Sequence, residues 1–295
     1  MLQFKAVSKD DFEKYNKYRT MDETNASEGV FMTMFIWNAY YNMEVADNGE
    51  FLFIRFNIKN KAPSYFFPIG KGDLTKAIDE LSEFSAQRGE KLCFRLVSLE
   101  NAEKLKNISG KKFSFTPTRD SFDYIYFTEK MVSLSGKKLH SKKNHLNYFL
   151  ENYSFTYEKV DSEKLLSECR EKAISLVCSK TKNLNSFEKG AMERYFEHFF
   201  EFKQTGALLR VDGEIAAMSF GEKLNQDTAL IQIELADEKY RGAYQAINKL
   251  FCENEWSQFT YVNREEDMGI EGLRKAKMGY QPAFFVEKYY IEEEF

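Results

Sequence analysis

The stretch "ELADEKYRGAYQAINKL", residues 234–250, runs from the end of a strand through a tight turn into a helix. Before it, "GALLRVDGEIAAMSFGEKLNQDTALIQIELA" predicts three strands, and the first two meet at Asp212-Gly213, a dipeptide that favours two-residue hairpins because both positions tolerate positive φ. After the turn, apolar residues recur at spacings of three and four, which predicts a helix packed on the sheet through Tyr244, Ile247, Leu250 and Phe251.

The remaining C-terminal residues continue this pattern. "FTYVN" (259–263) predicts a further strand, and "GIEGLRKAKMGY" predicts a short helix that ends at Gly279. A last strand is predicted in "AFFVEKYYI" (283–291). The predicted order of this half is therefore βββ-α-β-α-β.

The N-terminal half repeats that order. "FLFIRFNI" and "SYFFPIG" predict a hairpin, "DLTKAIDELSEFSAQRG" a helix with Leu74, Ile78 and Leu81 on one face, and "KLCFRLVS" the next strand. A helix in "LENAEKLKN" and a final strand in "SFDYIYFTE" complete it. We predict a mixed α/β (α+β) fold of two tandem units, residues 1–130 and residues 131–295, each a mixed sheet flanked by helices.

Composition excludes several classes of protein. The chain is 43% hydrophobic and 30% charged, which is typical of a soluble globular protein and excludes a disordered one. Its longest nearly apolar stretch, "FMTMFIWNAYY", is far shorter than the roughly 20 residues that span a bilayer, and the N-terminus has no signal-peptide pattern, so we predict a cytosolic protein. The four cysteines are scattered with no CxxC pair, so we expect neither a metal site nor disulfide bonds.

One segment, "SGKKLHSKKNHL" (135–146), is strongly basic although the net charge of the chain is -4. The pattern predicts a helix that opens the second domain, with an apolar face on Leu146, Phe149, Leu150 and Tyr153. The basic side chains could neutralise the phosphates of RNA or of an anionic lipid headgroup, or could simply face solvent. The candidates are Lys137, Lys138, His140, Lys142 and Lys143, with His145 beside them.

The strand order together with "YRGAYQA" resembles the GNAT superfamily of acyl-CoA N-acyltransferases. Its motif, Q/R-x-x-G-x-G/A, places backbone N–H groups at a helix N-terminus around a pyrophosphate. Arg241 and Ala246 match the ends of that motif, and Gly242 lies in the turn, but Tyr244 stands at the central glycine. A bulky residue there hinders close approach of a phosphate, so we predict weak binding of coenzyme A, with core packing of Tyr244 as the alternative explanation.

A closer resemblance extends over nearly the whole chain. The segments "FIWNAYYN", "YIYFTEKMVSLSGKKLHSKKNHLNYF", "GAYQAIN" and "YVNREEDMGIEGLRKAKMGYQP" resemble the soluble C-terminal domain of bacterial phosphatidylglycerol lysyltransferases, which is related to the Fem transferases. The resemblance implies two tandem GNAT-like domains, aminoacyl-tRNA as donor and tRNA as partner. It implies no required cofactor, with aminoacyl-tRNA or acyl-CoA as co-substrate. A donor without a pyrophosphate agrees with the tyrosine at position 244.

The resemblance also implies candidate catalytic residues. Glu234 stands where GNAT enzymes often carry a general base. Arg274 stands where they often carry a tyrosine acid, and arginine cannot donate a proton at neutral pH. Either Tyr280 is then the acid, or no acid is needed because the leaving ribose hydroxyl can be protonated within the RNA itself. Asp267, in the run "NREED" (263–267), is a second candidate base, or an N-cap of the helix that follows.

Candidate donor-binding residues surround these. Asn263 matches the asparagine that ends this strand in GNAT enzymes, and Glu265 and Glu266 could bind a cationic aminoacyl group. The full set of predicted donor-binding residues is Arg241, Gly242, Tyr244, Asn263, Arg264, Glu265, Arg274 and Lys277, of which Arg274 and Lys277 are predicted to bind anions.

Three functions remain open at this point. The first is an aminoacyl or acyl transferase that acts on an amine or hydroxyl. The second is a non-catalytic module that keeps the fold and binds RNA or an anionic membrane surface. The third, an acyl-CoA-dependent N-acetyltransferase, is disfavoured by Tyr244.

Overall fold

The computed structural model describes residues 2–21, 23–108, 110–180 and 186–294. Contacts divide the chain into two compact units. Unit 1 contains the residues up to Phe122 and those from Val286 onward, and unit 2 contains Asp123–Phe285. This division falls shortly before the sequence-based boundary at residue 130 and returns the last ten residues to unit 1.

The described strands are, in chain order, β1 (Lys5–Ala6), β2 (Met43–Asp47), β3 (Phe51–Phe56), β4 (Ser64–Tyr65), β5 (Ile69–Gly70), β6 (Cys93–Ser98), β7 (Lys112–Pro117), β8 (Asp123–Phe127), β9 (Phe155–Lys159), β10 (Thr205–Val211), β11 (Glu214–Lys223), β12 (Thr228–Ala236), β13 (Tyr261–Asn263), β14 (Phe284–Val286) and β15 (Lys288–Glu294).

The described helices are α1 (Phe12–Arg19), α2 (Phe31–Ile36), α3 (Asn38–Tyr41), α4 (Leu74–Ala86), α5 (Leu99–Lys106), α6 (Thr128–Ser133), α7 (His140–Asn152), α8 (Glu163–Lys180), α9 (Ser186–Glu197), α10 (Ala243–Glu255) and α11 (Glu271–Met278). Among these described helices, none is both long and apolar enough to cross a membrane.

The sheet of unit 1 has the order β1-β2-β3-β4-β6-β15-β7, with β5 paired to β3. The helix α4 begins after Asp73, whose side chain accepts a hydrogen bond from the backbone N–H of Lys76 and so caps the helix. Ile78 and Leu81 on its inner face are fully buried in one apolar cluster with residues of the sheet, and Leu74 packs against that cluster, as their spacing predicts.

The sheet of unit 2 has the order β14-β8-β13-β12-β11-β10-β9. The predicted β10–β11 hairpin is confirmed, because Asp212 and Gly213 both adopt positive φ (49° and 84°) at its turn. Ile247 and Phe251 of α10 are fully buried in the core of this unit, and Tyr244 and Leu250 pack against it, which confirms the predicted stripe.

Two strands belong to a different sheet from the one that the sequence predicts. The strand in "SFDYIYFTE", taken as the end of the first unit, is β8 and pairs with β13 of unit 2. The strand in "AFFVEKYYI" is divided: β14 lies in the sheet of unit 2, whereas β15 pairs with β6 and β7 of unit 1. The alternation of apolar residues marks a strand locally, but pairing is decided by tertiary contacts.

Candidate functional site

A cavity of about 750 Å³ opens in unit 2 where two parallel strands separate. The strand β12 pairs with β13 only through Thr228–Leu230. Opposite β11, the register of β12 shifts between Ile231 and Ile233, so Gln232 is an extra, bulged residue. Ile231 and Gln232 line the cavity directly beyond the point where β13 ceases to pair.

The cavity draws its lining from β12 and the turn after it, α10, the loop after β13, α11 and the segment after it, and one residue of α7. The residues are Lys142, Ile231, Gln232, Glu234, Glu238, Tyr244, Gln245, Arg264, Glu265, Glu266, Met268, Gly272, Leu273, Ala276, Lys277 and Tyr280. Several of the predicted site residues are thus brought together, namely Glu234, Tyr244, Arg264, Glu265, Lys277 and Tyr280.

An ion pair between Glu234 and Arg264 lies at the wall of this cavity. Arg264 Nη2 donates to Glu234 Oε1 at 2.7 Å, and Asn248 Nδ2 donates to Glu234 Oε2 at 2.7 Å. The two charged side chains are only 12% and 11% exposed. Burial opposes the charge on Arg264, but the carboxylate of Glu234 outweighs it and raises the pKa of the guanidinium above its usual value.

Several buried polar atoms around this ion pair lack a hydrogen-bond partner. Among the described residues, Arg264 Nη1 and Asn248 Oδ1 are buried and have no hydrogen-bond partner, and neither has the hydroxyl of Ser219, which pairs in register with Glu234. Buried groups without a partner are rare and commonly mark water or a functional site. The surroundings of Glu234 therefore contain buried polar groups that the fold itself does not satisfy, as expected near a functional site.

Lys142 is the member of the basic segment that reaches the cavity. Its Nζ lies 4.5 Å from the centre of the Tyr280 ring, and no carboxylate of the described chain forms an ion pair with it. Burial, together with the positive charge of Arg264, lowers the pKa of Lys142 below its usual value. The neutral form of this amine is therefore favoured more than in an ordinary, solvent-exposed lysine.

The other predicted basic residues do not share that position. Lys137, Lys138, His140 and Lys143 are all exposed to solvent, and His145 is half-buried. Their predicted contact with RNA or lipid phosphates stays a prediction. The predicted apolar face of the same helix is correct for Leu146 and Phe149 but wrong for Leu150, which is 44% exposed.

Tyr280 is buried next to Arg264 at the cavity. Its ring lies 4.8 Å from the guanidinium carbon of Arg264, and Gln245 lines the same cavity. Burial raises the pKa of the phenol above its usual value, so the hydroxyl keeps its proton at neutral pH. This protonated state is the one that a general acid or hydrogen-bond donor requires.

Asp267 does not line the cavity, so its predicted role as a base is not supported. It is fully buried, and its carboxylate accepts from Tyr124 Oη at 2.6 Å, Gly269 N at 2.9 Å and Arg274 Nε and Nη2 at 2.8 and 2.7 Å. Burial opposes its charge, but these donors lower the pKa of Asp267. Arg274, predicted to bind an external anion, is engaged by Asp267, and the pair fixes the start of α11.

Lys277 and Asn263 hold the loop that follows β13. Lys277 Nζ donates to the backbone oxygens of Arg264, Glu265 and Glu266 at 2.5, 3.1 and 2.5 Å. Asn263 Oδ1 accepts from Glu265 N at 2.7 Å, and its Nδ2 donates to Asp123 at 3.0 Å. Both residues therefore shape the cavity wall, whereas the sequence predicted donor contacts for them.

The turn before α10 is covered by α7. Gly242 has φ +89°, and a Cβ at this position would lie 2.1 Å from the backbone oxygen of His145. Arg241 is exposed, with its guanidinium 4.4 Å from the ring centre of Tyr148. Tyr244, the residue at the place of the motif glycine, lines the cavity with its side chain.

Sequence reasoning missed the polar residues of α10 and of the bulge. Asn248 donates a hydrogen bond to Glu234, Gln245 lines the cavity, and Gln232 is the bulged residue. Asn248 carried a signal in the sequence, because this polar residue directly follows Ile247 at the centre of an otherwise apolar helix face. The structure buries it completely, which is unusual for asparagine.

Comparison with known proteins identifies the family of this chain. A family model described as phosphatidylglycerol lysyltransferase, C-terminal, matches residues 20–292. The chain belongs to this family. The resemblance that the sequence suggested is thereby confirmed, and family membership supports a role related to aminoacyl transfer.

Similar proteins are known at several distances. A conserved protein of unknown function from Bacteroides thetaiotaomicron is 30% identical, with a TM-score of 0.92 and complete coverage of both chains. The C-terminal domain of a putative lysylphosphatidylglycerol synthetase from Agrobacterium fabrum is 15% identical over 97% of this chain and 92% of that one, with a TM-score of 0.69. An uncharacterized protein of Mycoplasmoides gallisepticum is 27% identical over 58% of this chain, and the match spans 56% of that relative, little more than half its length.

Two more distant structures share the fold alone. FemX is 7% identical and covers 98% of this chain and 96% of its own, with a TM-score of 0.65. A tandem GNAT protein from the clavulanic acid biosynthesis pathway is 9% identical over 100% of this chain and 98% of its own, with a TM-score of 0.50. The predicted fold of two GNAT-like units with mixed sheets and flanking helices is confirmed.

Proposed function

We propose that unit 2 transfers an aminoacyl group from an aminoacyl-tRNA ester to an amine or hydroxyl acceptor. The observation that carries this proposal is the half-buried amine of Lys142, which has a lowered pKa and faces a cavity lined by Arg264, Tyr280 and several carboxylates. An amine whose pKa is lowered gives up its proton more readily than an ordinary lysine, and so is better suited to accept and return a proton during the reaction.

In the proposed reaction, the acceptor oxygen or nitrogen attacks the carbonyl carbon of the ester. Lys142 takes the proton of the acceptor as the new acyl bond forms. The bond between the carbonyl carbon and the ribose oxygen then breaks, and Lys142 returns the proton to that oxygen. Because such esters are already activated, orientation of the two substrates supplies much of the rate enhancement.

The other residues of the cavity support this step. Arg264 provides a fixed positive charge for the carbonyl oxygen as it becomes negative, and Tyr280 provides a protonated hydroxyl. Glu234 is less suited to act as the base, since both its oxygens already accept hydrogen bonds. It keeps Arg264 in place instead.

The carboxylates of the lining fit an aminoacyl donor. Glu238, Glu265 and Glu266 all line the cavity. An aminoacyl group carries an α-ammonium, and some carry a second cation on the side chain. Opposite charge attracts such a group into the cavity and favours it over a neutral acetyl group.

The turn before α10 argues against acyl-CoA as donor. The backbone of His145 packs so closely on Gly242 that no side-chain atom would fit, and Tyr244 occupies the adjoining wall. Both features crowd the place at which the GNAT motif holds a pyrophosphate. An aminoacylated RNA end carries no pyrophosphate and is compatible with them.

A transfer assay tests the proposal. The purified protein is incubated with bulk tRNA charged in turn with each labelled amino acid, in the presence of either phosphatidylglycerol vesicles or a polyamine. Products are identified by mass spectrometry, and acetyl-CoA replaces the charged tRNA in a parallel series. We expect transfer from one or a few charged tRNAs, with a rate reduced about 100-fold or more in Lys142→Gln.

The matched control is Lys164→Gln, which removes an exposed lysine of α8 outside both the basic segment and the cavity lining and leaves the rate unchanged. Salt-sensitive binding of tRNA or vesicles without any product would favour the non-catalytic module. Acetyl transfer with micromolar affinity for acetyl-CoA, about 8 kcal/mol, would favour the acetyltransferase instead.

A further inference from the structure

Unit 1 contains a second cavity, of about 400 Å³, on the face of its sheet that lies away from α4 and α5. Phe53, Phe94 and Ile291 point into the apolar cluster beneath those helices. Because side chains alternate along strands, Phe56, Arg95 and Tyr290 point to the opposite face. The cavity is lined by Tyr40, Tyr41, Phe56, Ile58, Lys61, Arg95, Leu96, Thr118, Ser121 and Tyr290.

Arg95 is half-buried in this cavity, yet within the described part of the chain it has no hydrogen-bond or ion-pair partner. Arg55, on β3 of the same sheet, shows the ordinary arrangement: it donates to Glu44 at 2.9 Å and to Glu90 at 2.6 Å. Removing a guanidinium from water without a partner is unfavourable. Arg95 is therefore available to an anion from outside the chain.

A β-bulge directs Arg95 toward the cavity. Val97 pairs with Tyr289 and Phe94 with Ile291, so Arg95 and Leu96 together oppose the single residue Tyr290. Leu96 adopts a left-handed backbone (φ +55°), which is unfavourable for leucine. Such backbone strain is retained where the surrounding structure imposes it, and bulges often direct a side chain at binding sites.

Aromatic rings and a second cation also line the cavity. Tyr40 is 39% exposed and lies 4.9 Å from Tyr41, centre to centre, and the ring of Tyr41 lies 5.5 Å from that of Phe56. Lys61 is exposed and forms no ion pair with a described residue. Among the described lining residues none is acidic, so the cavity keeps an uncompensated positive charge.

We propose that this cavity binds a nucleotide, with the base against the tyrosine rings and the phosphate at Arg95 and Lys61. Aromatic rings stack on bases of any sequence, and the planar guanidinium of arginine matches a phosphate with two parallel hydrogen bonds. Inorganic phosphate alone would leave the aromatic lining unused, and a purely apolar ligand would leave Arg95 buried without a counter-charge. The volume lies within the range of small-ligand sites.

The nucleotide can come from two sources, a free mononucleotide or the terminal unit of a single-stranded RNA. Both offer the same base and phosphate. The proposal does not rest on the transfer reaction, because the site consists of unit 1 residues and its readout is binding. The two proposals can therefore fail independently.

Isothermal titration calorimetry on the full chain tests the site with AMP, a three-nucleotide RNA, adenosine and inorganic phosphate. We expect AMP or the RNA to bind, and adenosine and phosphate to bind at least about tenfold more weakly than the better ligand. Tighter binding of the RNA identifies an RNA end as the source, and binding of AMP alone identifies a free nucleotide. Either result supports the site.

The variants Arg95→Gln and Lys61→Gln should weaken binding, the first by at least about tenfold. Arg95→Lys, which keeps the charge but loses the planar fork, should fall between Arg95→Gln and the wild type. Lys59→Gln, an exposed lysine outside the cavity, is the matched control and should bind as the wild type does. Absence of binding by both AMP and RNA, or unchanged affinity in Arg95→Gln with a wild-type unfolding temperature, would overturn the proposal.

Discussion

Two arginines in the two cavities show opposite uses of the same side chain. Arg264 in unit 2 is held by Glu234 and lies 4.8 Å from the ring centre of Tyr280, so its position is determined within the chain. Arg95 in unit 1 lines its cavity with no carboxylate partner in the described chain. A guanidinium that is already paired orients and polarises a site, whereas an unpaired one is free to bind an incoming anion.

Removing Arg264 should have the largest effect on stability. Arg264→Met leaves the half-buried carboxylate of Glu234 with Asn248 alone, and breaking a buried pair from one side costs about 3 to 5 kcal/mol. Chemical denaturation measures the loss. The double variant Arg264→Met/Glu234→Met should recover part of it; if the double variant is as unstable as the sum of both single ones, the ion pair is not the cause.

Substitution of Gly242 comes next. Gly242→Ala forces a Cβ against the backbone of His145, and overpacking of this kind costs about 1 to 3 kcal/mol in addition to the cost of positive φ. Gly49→Ala is a matched control, since Gly49 has nearly the same φ (+90°) but open space around it. Equal losses of unfolding free energy in the two variants would show that α7 does not press on the turn.

Removing the amine of Lys142 should have a smaller effect on stability, and this effect should depend on pH. Because its pKa is lowered in the folded state, folding disfavours the charged amine, and this cost is present below the folded pKa. Lys142→Met should therefore be more stable than the wild type at neutral pH, and the difference should fade as pH rises toward the ordinary lysine value of about 10.4. Thermal unfolding across this pH range measures the difference; a gap that widens with pH would contradict the assigned direction.

Removing Arg95 should have the smallest effect on stability. Arg95→Met breaks no ion pair in the described chain, so we expect a change of less than about 0.5 kcal/mol, or a small gain. Arg55→Met in the same sheet should cost clearly more, because Glu44 and Glu90 would lose their partner. A large loss in Arg95→Met would mean that the arginine has a structural role and would weaken the case for an anion site.

Much of unit 2 follows from local sequence. Asp212 and Gly213 specify their turn through positive φ, and the apolar spacing of α10 specifies which face it buries. The family resemblance assigned Glu234, Tyr244, Arg264 and Tyr280 to the site, and all four line the cavity. The turn and the buried helix face depend on neighbours a few residues away, which a single sequence contains.

The tertiary structure decided the features that depend on distant contacts. It placed β8 in the second sheet and β15 in the first, and it paired Asp267 with Arg274. It also brought Lys142, but not the other lysines of the basic segment, to the cavity of unit 2. The tertiary structure also forms the cavity around Arg95. In the sequence, Arg95 lies within an ordinary apolar strand pattern that contains no motif. Strand pairing, burial and the absence of a counter-charge are properties of residues far apart in the chain, and local patterns do not encode them.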